Sequence, residues 1–162
     1  YFQNNNYDKA LNGDGQFSGF LSIANEYSST EAGNIANYYA AICQMNLGSS
    51  LDSLKYFENA LSSLNNFETD DEIISSLATG LKGDANMELG DTIEAISFYK
   101  SAATDNVNDF TTPYFMMKQA EILRIKKEFY SALEIYNAIK SDYPESKEGI
   151  NIDKYITSAS NR

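Results

Sequence analysis

The chain has 162 residues and a formal charge of −11, from 23 Asp and Glu against 12 Lys and Arg. Its 43% hydrophobic content is enough to build the core of one domain, which we expect to span residues 1–162. The negative average field repels phosphate backbones and anionic lipid surfaces, so nucleic acid is not an expected partner. Cys43 is the single cysteine and histidine is absent, so the residues for an internal disulfide or a zinc site are missing. We therefore expect no metal and no cofactor.

The first 33 residues contain a short helix near Tyr7, a glycine-rich turn and a second helix with apolar residues at helical spacing. The turn, Asn12 to Gly15, resembles the middle of a calcium-binding loop. Such loops need carboxylates at their first and last positions, where this chain has Ala10 and Leu21. We interpret it as a turn, and residues 1–33 as a partial helical repeat.

Three later segments resemble one another, and each consists of a helix end, a tight turn and a second helix. We predict the turns at Gly48, Gly90 and Lys127. A small residue precedes each turn by seven positions, another follows it by five, and a large aromatic residue follows by nine. These positions are Ala41, Ser53 and Phe57; Gly83, Ala95 and Tyr99; and Ala120, Ala132 and Tyr136. Small residues let paired helices approach closely, which predicts helical hairpins over 34–64, 70–104 and 112–144.

The repeated pattern, closed by "YPES" at Tyr143 to Ser146, resembles the tetratricopeptide repeat (TPR) family. The resemblance implies an all-α fold, an αα-hairpin solenoid that winds as a right-handed superhelix. It would contain about three full repeats, the partial N-terminal repeat and a capping helix over 146–159.

The resemblance also implies a concave groove lined by the first helix of each repeat. A helical-wheel projection of those helices gives an apolar set with few charges, which we call the groove residues. They are Ile35, Tyr38, Ile42, Met45, Leu77, Asp84, Met87, Tyr114, Met117, Glu121 and Arg124. Methionine and tyrosine are adaptable contact residues, so we predict that an apolar or amphipathic protein segment binds there. The alternative is that the long first helices or the N-terminal segment fill the groove.

An enzyme is not expected, because the chain has no histidine, phosphate-binding glycine loop or nucleophile beside a base. The acidic run from Asp70 to Glu72 is explained by the start of a helix, where carboxylates favour the helix dipole. We predict a non-enzymatic scaffold that binds proteins or peptides, including a membrane-protein complex or its client.

Stretches such as "ALNGDG", "ANEYSST" and "AGNIANYYAAICQMNLG" are similar to TPR proteins of Bacteroidetes-type bacteria, in particular to membrane-tethered periplasmic proteins that accompany the Sec translocon. That resemblance implies a place at the periplasmic face of the cell envelope, with an anchoring segment before Tyr1. Two alternatives stay open: an adaptor or regulatory subunit in the cytoplasm, and a lipoprotein-like assembly factor of the outer membrane.

Overall fold

The computed structural model describes residues 1–51 and 53–160. Over these residues the chain is all-helical, with 75% of it in helices and no β-strand, as the sequence predicts. A short 3₁₀ turn over Phe2–Asn4 comes first. The helices are α1 (Tyr7–Asn12), α2 (Phe20–Glu26), α3 (Glu31–Leu51), α4 (Leu54–Asn65), α5 (Glu72–Glu88), α6 (Thr92–Thr104), α7 (Thr112–Ile125), α8 (Phe129–Asp142), α9 (Lys147–Ile150) and α10 (Asp153–Ser160).

The chain divides into two compact units. Unit 1 comprises Tyr1–Asp70 and Asp84–Asp91, and unit 2 comprises Asp71–Gly83 and Thr92–Arg162. Helix α5 contributes its first part to unit 2 and its last part to unit 1. Each unit has a buried apolar cluster of its own.

The core of unit 1 forms where α1 packs against the long helix α3. Buried together there are Ala10, Leu11, Ala40 and Cys43. Three aromatic rings extend this core: the ring of Tyr39 lies 5.1 Å from that of Phe2 and stacks at 5.3 Å on that of Phe20. The N-terminal segment is therefore fixed to α3 by both aliphatic and aromatic contacts, which offset the entropy of ordering it.

The core of unit 2 forms between α7, α8 and α10. Its buried members are Ala120, Leu123, Ala132, Tyr136, Ile139, Ile152 and Ala159. Ala120 and Ala132, the small residues predicted for this hairpin, are fully buried, and α7 and α8 pack closely. A side chain no larger than alanine at such positions allows two helices to approach to about 8–10 Å.

The turns that end α3, α5 and α7 share one backbone hydrogen bond. The amides of Ser53, Asp91 and Glu128 each donate to the carbonyl oxygen five residues earlier, at 3.1, 2.8 and 2.9 Å. After α5 and α7 the amides of Gly90 and Lys127 also donate to the carbonyl three residues earlier, both at 3.0 Å, which completes a Schellman motif that satisfies helix-end carbonyls and turns the chain. The donors lie 38 and 37 residues apart, so the same hydrogen bond recurs at nearly constant spacing.

The motif needs a left-handed residue just before the donor. Gly90 and Lys127 occupy that position with φ of 83° and 65°, so both predicted turns are confirmed. The predicted turn at Gly48 is wrong, because α3 continues through Gly48 to Leu51. Gly48 serves packing instead, since a Cβ atom there would lie 2.7 Å from the Phe57 ring of α4.

Lys127 is under backbone strain that glycine would not share, because its Cβ disfavours the left-handed region. We expect Lys127→Gly to raise the free energy of unfolding by about 0.5–1 kcal/mol, measured by urea denaturation. Gly90→Ala is the matched control and should lower it by about 1 kcal/mol. Destabilisation by Lys127→Gly would mean that the lysine side chain contributes more than its strain costs.

The C-terminal segment differs from the single capping helix predicted over 146–159. It forms two short helices, α9 and α10, separated by Asn151 and Ile152. Ser146 caps α9 by accepting a hydrogen bond from the Gly149 amide at 2.9 Å. The break has a packing reason, since it places Ile152 in the core of unit 2 at 1% exposure.

Candidate functional site

The groove residues are all partly or largely exposed, and none is buried. In unit 1 they are Ile35, Tyr38, Ile42, Met45, Asp84 and Met87; in unit 2 they are Leu77, Tyr114, Met117, Glu121 and Arg124. A contiguous surface across all eleven stays a prediction. Within each unit, however, the structure brings some of them together with residues that the sequence did not single out.

In unit 1 the start of α3 lies against the segment after α4. The Asn34 side chain exchanges two hydrogen bonds with the backbone of Glu68, at 2.7 and 3.0 Å. Beside this contact Ile35 and Phe67 line an open cavity of about 560 Å³. The Tyr38 ring packs on that of Phe67 at 5.0 Å between centroids, and its burial raises the pKa of the Tyr38 hydroxyl. Ile35 and Tyr38 are thus held in place by a polar anchor and an aromatic contact.

In unit 2 the groove residues Leu77 and Tyr114 line one cavity of about 400 Å³ together with Phe110. We call this cavity the Phe110 pocket. Its polar rim includes Asp109 and the start of α9 at Lys147 and Glu148. Cavities of roughly 300–1,000 Å³ with an apolar lining and a few polar groups are typical of ligand sites.

Phe110 was missed by the sequence reasoning, although its side chain is 71% exposed at this pocket. The loop before α7 holds it through Asn108, whose Oδ1 accepts from the amides of Phe110 and Thr111 at 2.9 and 2.7 Å. The Asn108 amide in turn donates to the Thr112 hydroxyl at 3.0 Å. A signal was present in the sequence: Val107 and Phe110 are apolar residues in an otherwise polar linker, and both are exposed.

Tyr114 is positioned on two sides by its own helix. Its ring meets that of Phe115 edge-on at 4.9 Å, and Lys118 Nζ lies 5.4 Å from its centroid. Further along α7, Met117 packs partly against the core of unit 2. Arg124 pairs with Glu121 at 2.9 Å, so the two charged groove residues of unit 2 compensate each other. On α7 the less polar groove residues, Tyr114 and Met117, therefore lie in the first half of the helix.

The glycine-rich turn at Asn12 to Gly15 is closed by its own side chains. Asp14 Oδ1 accepts from the amides of Gln16 and Phe17 at 3.0 and 2.9 Å, and Oδ2 accepts from the Tyr1 hydroxyl. These bonds, the Tyr1 bond first, lower the pKa of Asp14 to about 2. The segment is a turn, as the sequence interpretation expected, and the Asp14 carboxylate orders it.

Among residues 1–51 and 53–160, no three His, Cys, Asp or Glu side chains come close enough to hold a metal ion. Cys43 is fully buried, and its burial raises the pKa of the thiol to about 11. A thiol of that kind carries little thiolate at neutral pH and is a poor nucleophile.

No family model, curated protein or solved structure matches the chain. Within the part of the chain that the structure describes, no helix is both long and apolar enough to cross a bilayer.

Proposed function

We propose that the chain is a TPR-type interaction scaffold, an αα-hairpin solenoid that binds a segment of another protein without catalysing a reaction. Two features support the TPR assignment. The same backbone hydrogen bond recurs after α3, α5 and α7 at spacings of 38 and 37 residues, close to the repeat length of that family. Small residues pack against large rings in successive hairpins: Gly48 against Phe57, and Gly83 against Tyr99.

The observation that carries the binding proposal is the Phe110 pocket. Two groove residues, Leu77 and Tyr114, line it beside an exposed phenylalanine whose loop is fixed by hydrogen bonds. A loop that is ordered in advance lowers the entropy cost of binding, and aromatic anchors dominate interface energies. The partner chemistry that fits is an apolar or amphipathic segment that inserts one large apolar side chain.

We place this scaffold at the periplasmic face of the cell envelope, tethered by an anchor and serving a membrane-protein complex or its client. That placement rests on the sequence resemblance described above. The two alternatives are a cytoplasmic adaptor or regulatory subunit and an outer-membrane assembly factor. A lipid-modified cysteine upstream of Tyr1 would favour the outer-membrane alternative.

The test is photocrosslinking in cells from a benzoylphenylalanine placed at Phe110, or at Tyr130 as a positional control. We expect protein adducts from position 110. Their yield should fall at least tenfold in the variant Leu77→Glu, Tyr114→Glu, Met117→Glu, whose three positions are groove residues of unit 2, because three carboxylates in an apolar contact would each have to be desolvated.

A second triple variant separates this effect from added charge. Ile93→Glu, Ile125→Glu and Tyr130→Glu introduce the same three charges at exposed sites outside the groove set, and adduct yield should stay within twofold of wild type. Circular dichroism checks that all variants fold. Equal loss in both triple variants would exclude the groove set as the binding surface, and an absence of adducts from position 110 in wild type would contradict the scaffold itself.

A further inference from the structure

Unit 1 contains a second cleft that shares no residue with the groove set. It has a volume of about 620 Å³ and lies among α2, α3 and α4. Carboxamides and hydroxyls make up most of its lining, with Leu21 and Ala24 as the apolar members. None of the lining residues is charged or aromatic. We call it the amide cleft.

The carboxamides of the amide cleft are arranged in rows. Asn37 and Gln44 lie seven residues apart on α3, and Asn59 and Asn66 lie seven apart along α4 and its C-cap. Seven residues are two helical turns, or roughly 10.5 Å at 1.5 Å per residue. An extended chain advances about 3.3 Å per residue, so the rows match roughly three residues of an extended segment.

The floor of the cleft includes the carboxamide of Gln44. Gln44 is only 3% exposed, and its Oε1 accepts from the Ser63 hydroxyl at 2.9 Å. Its Nε2 makes no hydrogen bond within the described residues, and it is not sealed from the cleft. Because the Nε2 is open to the cleft, it can donate to an acceptor that enters from outside, such as a backbone carbonyl.

A peptide backbone fits this lining better than other polar ligands. Carboxamides both donate and accept, as do the alternating N–H and C=O groups of an extended chain. Without a charged side chain the lining has no group to pair with a phosphate or carboxylate. Without an aromatic ring it has no flat apolar surface on which a sugar face could stack. Recognition would therefore depend on the backbone rather than on particular side chains.

The charge around the cleft defines the flanks of the ligand. Unit 1 carries eleven acidic residues and two basic ones, so it holds −9 of the chain's −11. The acidic residues are Asp8, Asp14, Glu26, Glu31, Asp52, Glu58, Glu68, Asp70, Asp84, Glu88 and Asp91; the basic ones are Lys9 and Lys55. Glu26 and Glu58 are exposed next to Asn25 and Asn59 of the cleft. Such a field attracts cationic segments and accelerates their association.

We propose that the amide cleft binds a short extended protein segment through its backbone, with Lys or Arg residues on both sides of the bound stretch. This site is separate from the Phe110 pocket and does not depend on the function proposed for that pocket.

The probe is a fluorescein-labelled peptide library with three randomised residues between two pairs of lysines, and binding is read by fluorescence anisotropy. We expect the double variant Asn25→Ala, Asn59→Ala to weaken binding at least tenfold. Both side chains are exposed, so the variant should fold. Asn65→Ala, an exposed asparagine of α4 outside the cleft, is the matched control and should stay within twofold of wild type. Binding should also weaken as salt is added.

Two control libraries test the chemistry of the ligand. Replacing the lysines by glutamates should abolish binding, and N-methylation of the three central amides should do the same because it removes the backbone donors. Equal affinity of wild type and double variant, unchanged binding after N-methylation, or no binding of the lysine library at 1 mM peptide would overturn the proposal. Binding of maltoheptaose that the double variant abolishes would also overturn it, since the cleft would then be a carbohydrate site.

Discussion

Tyr136→Ala is expected to lower the free energy of unfolding by about 3–5 kcal/mol, measured by urea denaturation. Tyr136 is the largest fully buried side chain, at 0% exposure, and it lies in the core of unit 2 with Ala132 and Ile139. Its truncation removes a ring from an environment that α7, α8 and α10 together enclose. The cavity left behind adds to the lost transfer free energy.

Tyr136→Phe separates the ring from the hydroxyl. The hydroxyl is buried without a hydrogen-bond partner of standard geometry, so its removal should change stability by less than about 1 kcal/mol. Burial, followed by the Glu121 carboxylate, raises the pKa of Tyr136 from 10.0 to about 12. The folded state therefore favours the neutral hydroxyl. The raised pKa contributes fully to the free energy of unfolding below pH 10, and this contribution is lost as pH rises from 10 to 12. Tyr136→Phe should remove that part of the pH dependence; a loss well above 1 kcal/mol at neutral pH would show that the hydroxyl is paired.

Gly80→Ala should destabilise the protein by about 1–3 kcal/mol in the same assay. A Cβ atom at position 80 would lie 1.9 Å from a ring carbon of Phe115, well inside van der Waals contact. The ring has little freedom to move, because Phe115 is 2% exposed and packs between Tyr99 at 6.2 Å and Tyr114 at 4.9 Å. Overpacking then forces a shift of the ring or of α5.

A double-mutant cycle tests this explanation. Phe115→Leu shortens the side chain that meets the new methyl group, so Gly80→Ala should cost much less in that background. Additive effects of the two changes would contradict the proposed clash and would assign the cost to something other than the Phe115 ring.

The helical hairpins were predictable because their determinants are local. Apolar spacing, small residues such as Ala120 and Ala132, and the turn glycine Gly90 all leave a mark within about ten residues of sequence. Lys127 was also identified, although it is not a glycine, because its position in the repeated pattern marks it. A repeated pattern can therefore identify a turn even where the residue at the turn is not a typical turn residue.

The turn predicted at Gly48 is wrong because the large and small residues of the first hairpin have changed places between its two helices. The recurring hydrogen bonds make Phe57 of the first hairpin equivalent to Ala132 of the third, and Gly48 equivalent to Leu123. In the first hairpin the first helix has the small residue, Gly48, and the second has the large one, Phe57. In the third hairpin the first helix has the large residue, Leu123, and the second has the small one, Ala132. The sequence pattern measures fixed distances from a turn glycine, so it took Gly48 for the turn and ended α3 too early.

The candidate sites likewise contain residues that local sequence predicts and residues that only the folded structure brings together. Leu77 and Tyr114 were identified from their helical faces, but Phe110 was not, because its position depends on the hydrogen bonds of Asn108 rather than on any periodicity. The amide cleft was missed for a related reason. Its rows come from different helices, and polar residues at spacings of seven look like solvated surface until the helices are packed.

Cys43 allows local opening of unit 1 to be measured through the reactivity of its thiol. Because Cys43 is fully buried and there is no other cysteine, a thiol reagent can react only when the contacts between α1 and α3 separate. Its alkylation rate in native buffer, relative to that of unfolded chain, measures the free energy of this opening without any engineered label. Comparison with the global value from urea would show whether unit 1 opens alone or only when the whole chain unfolds.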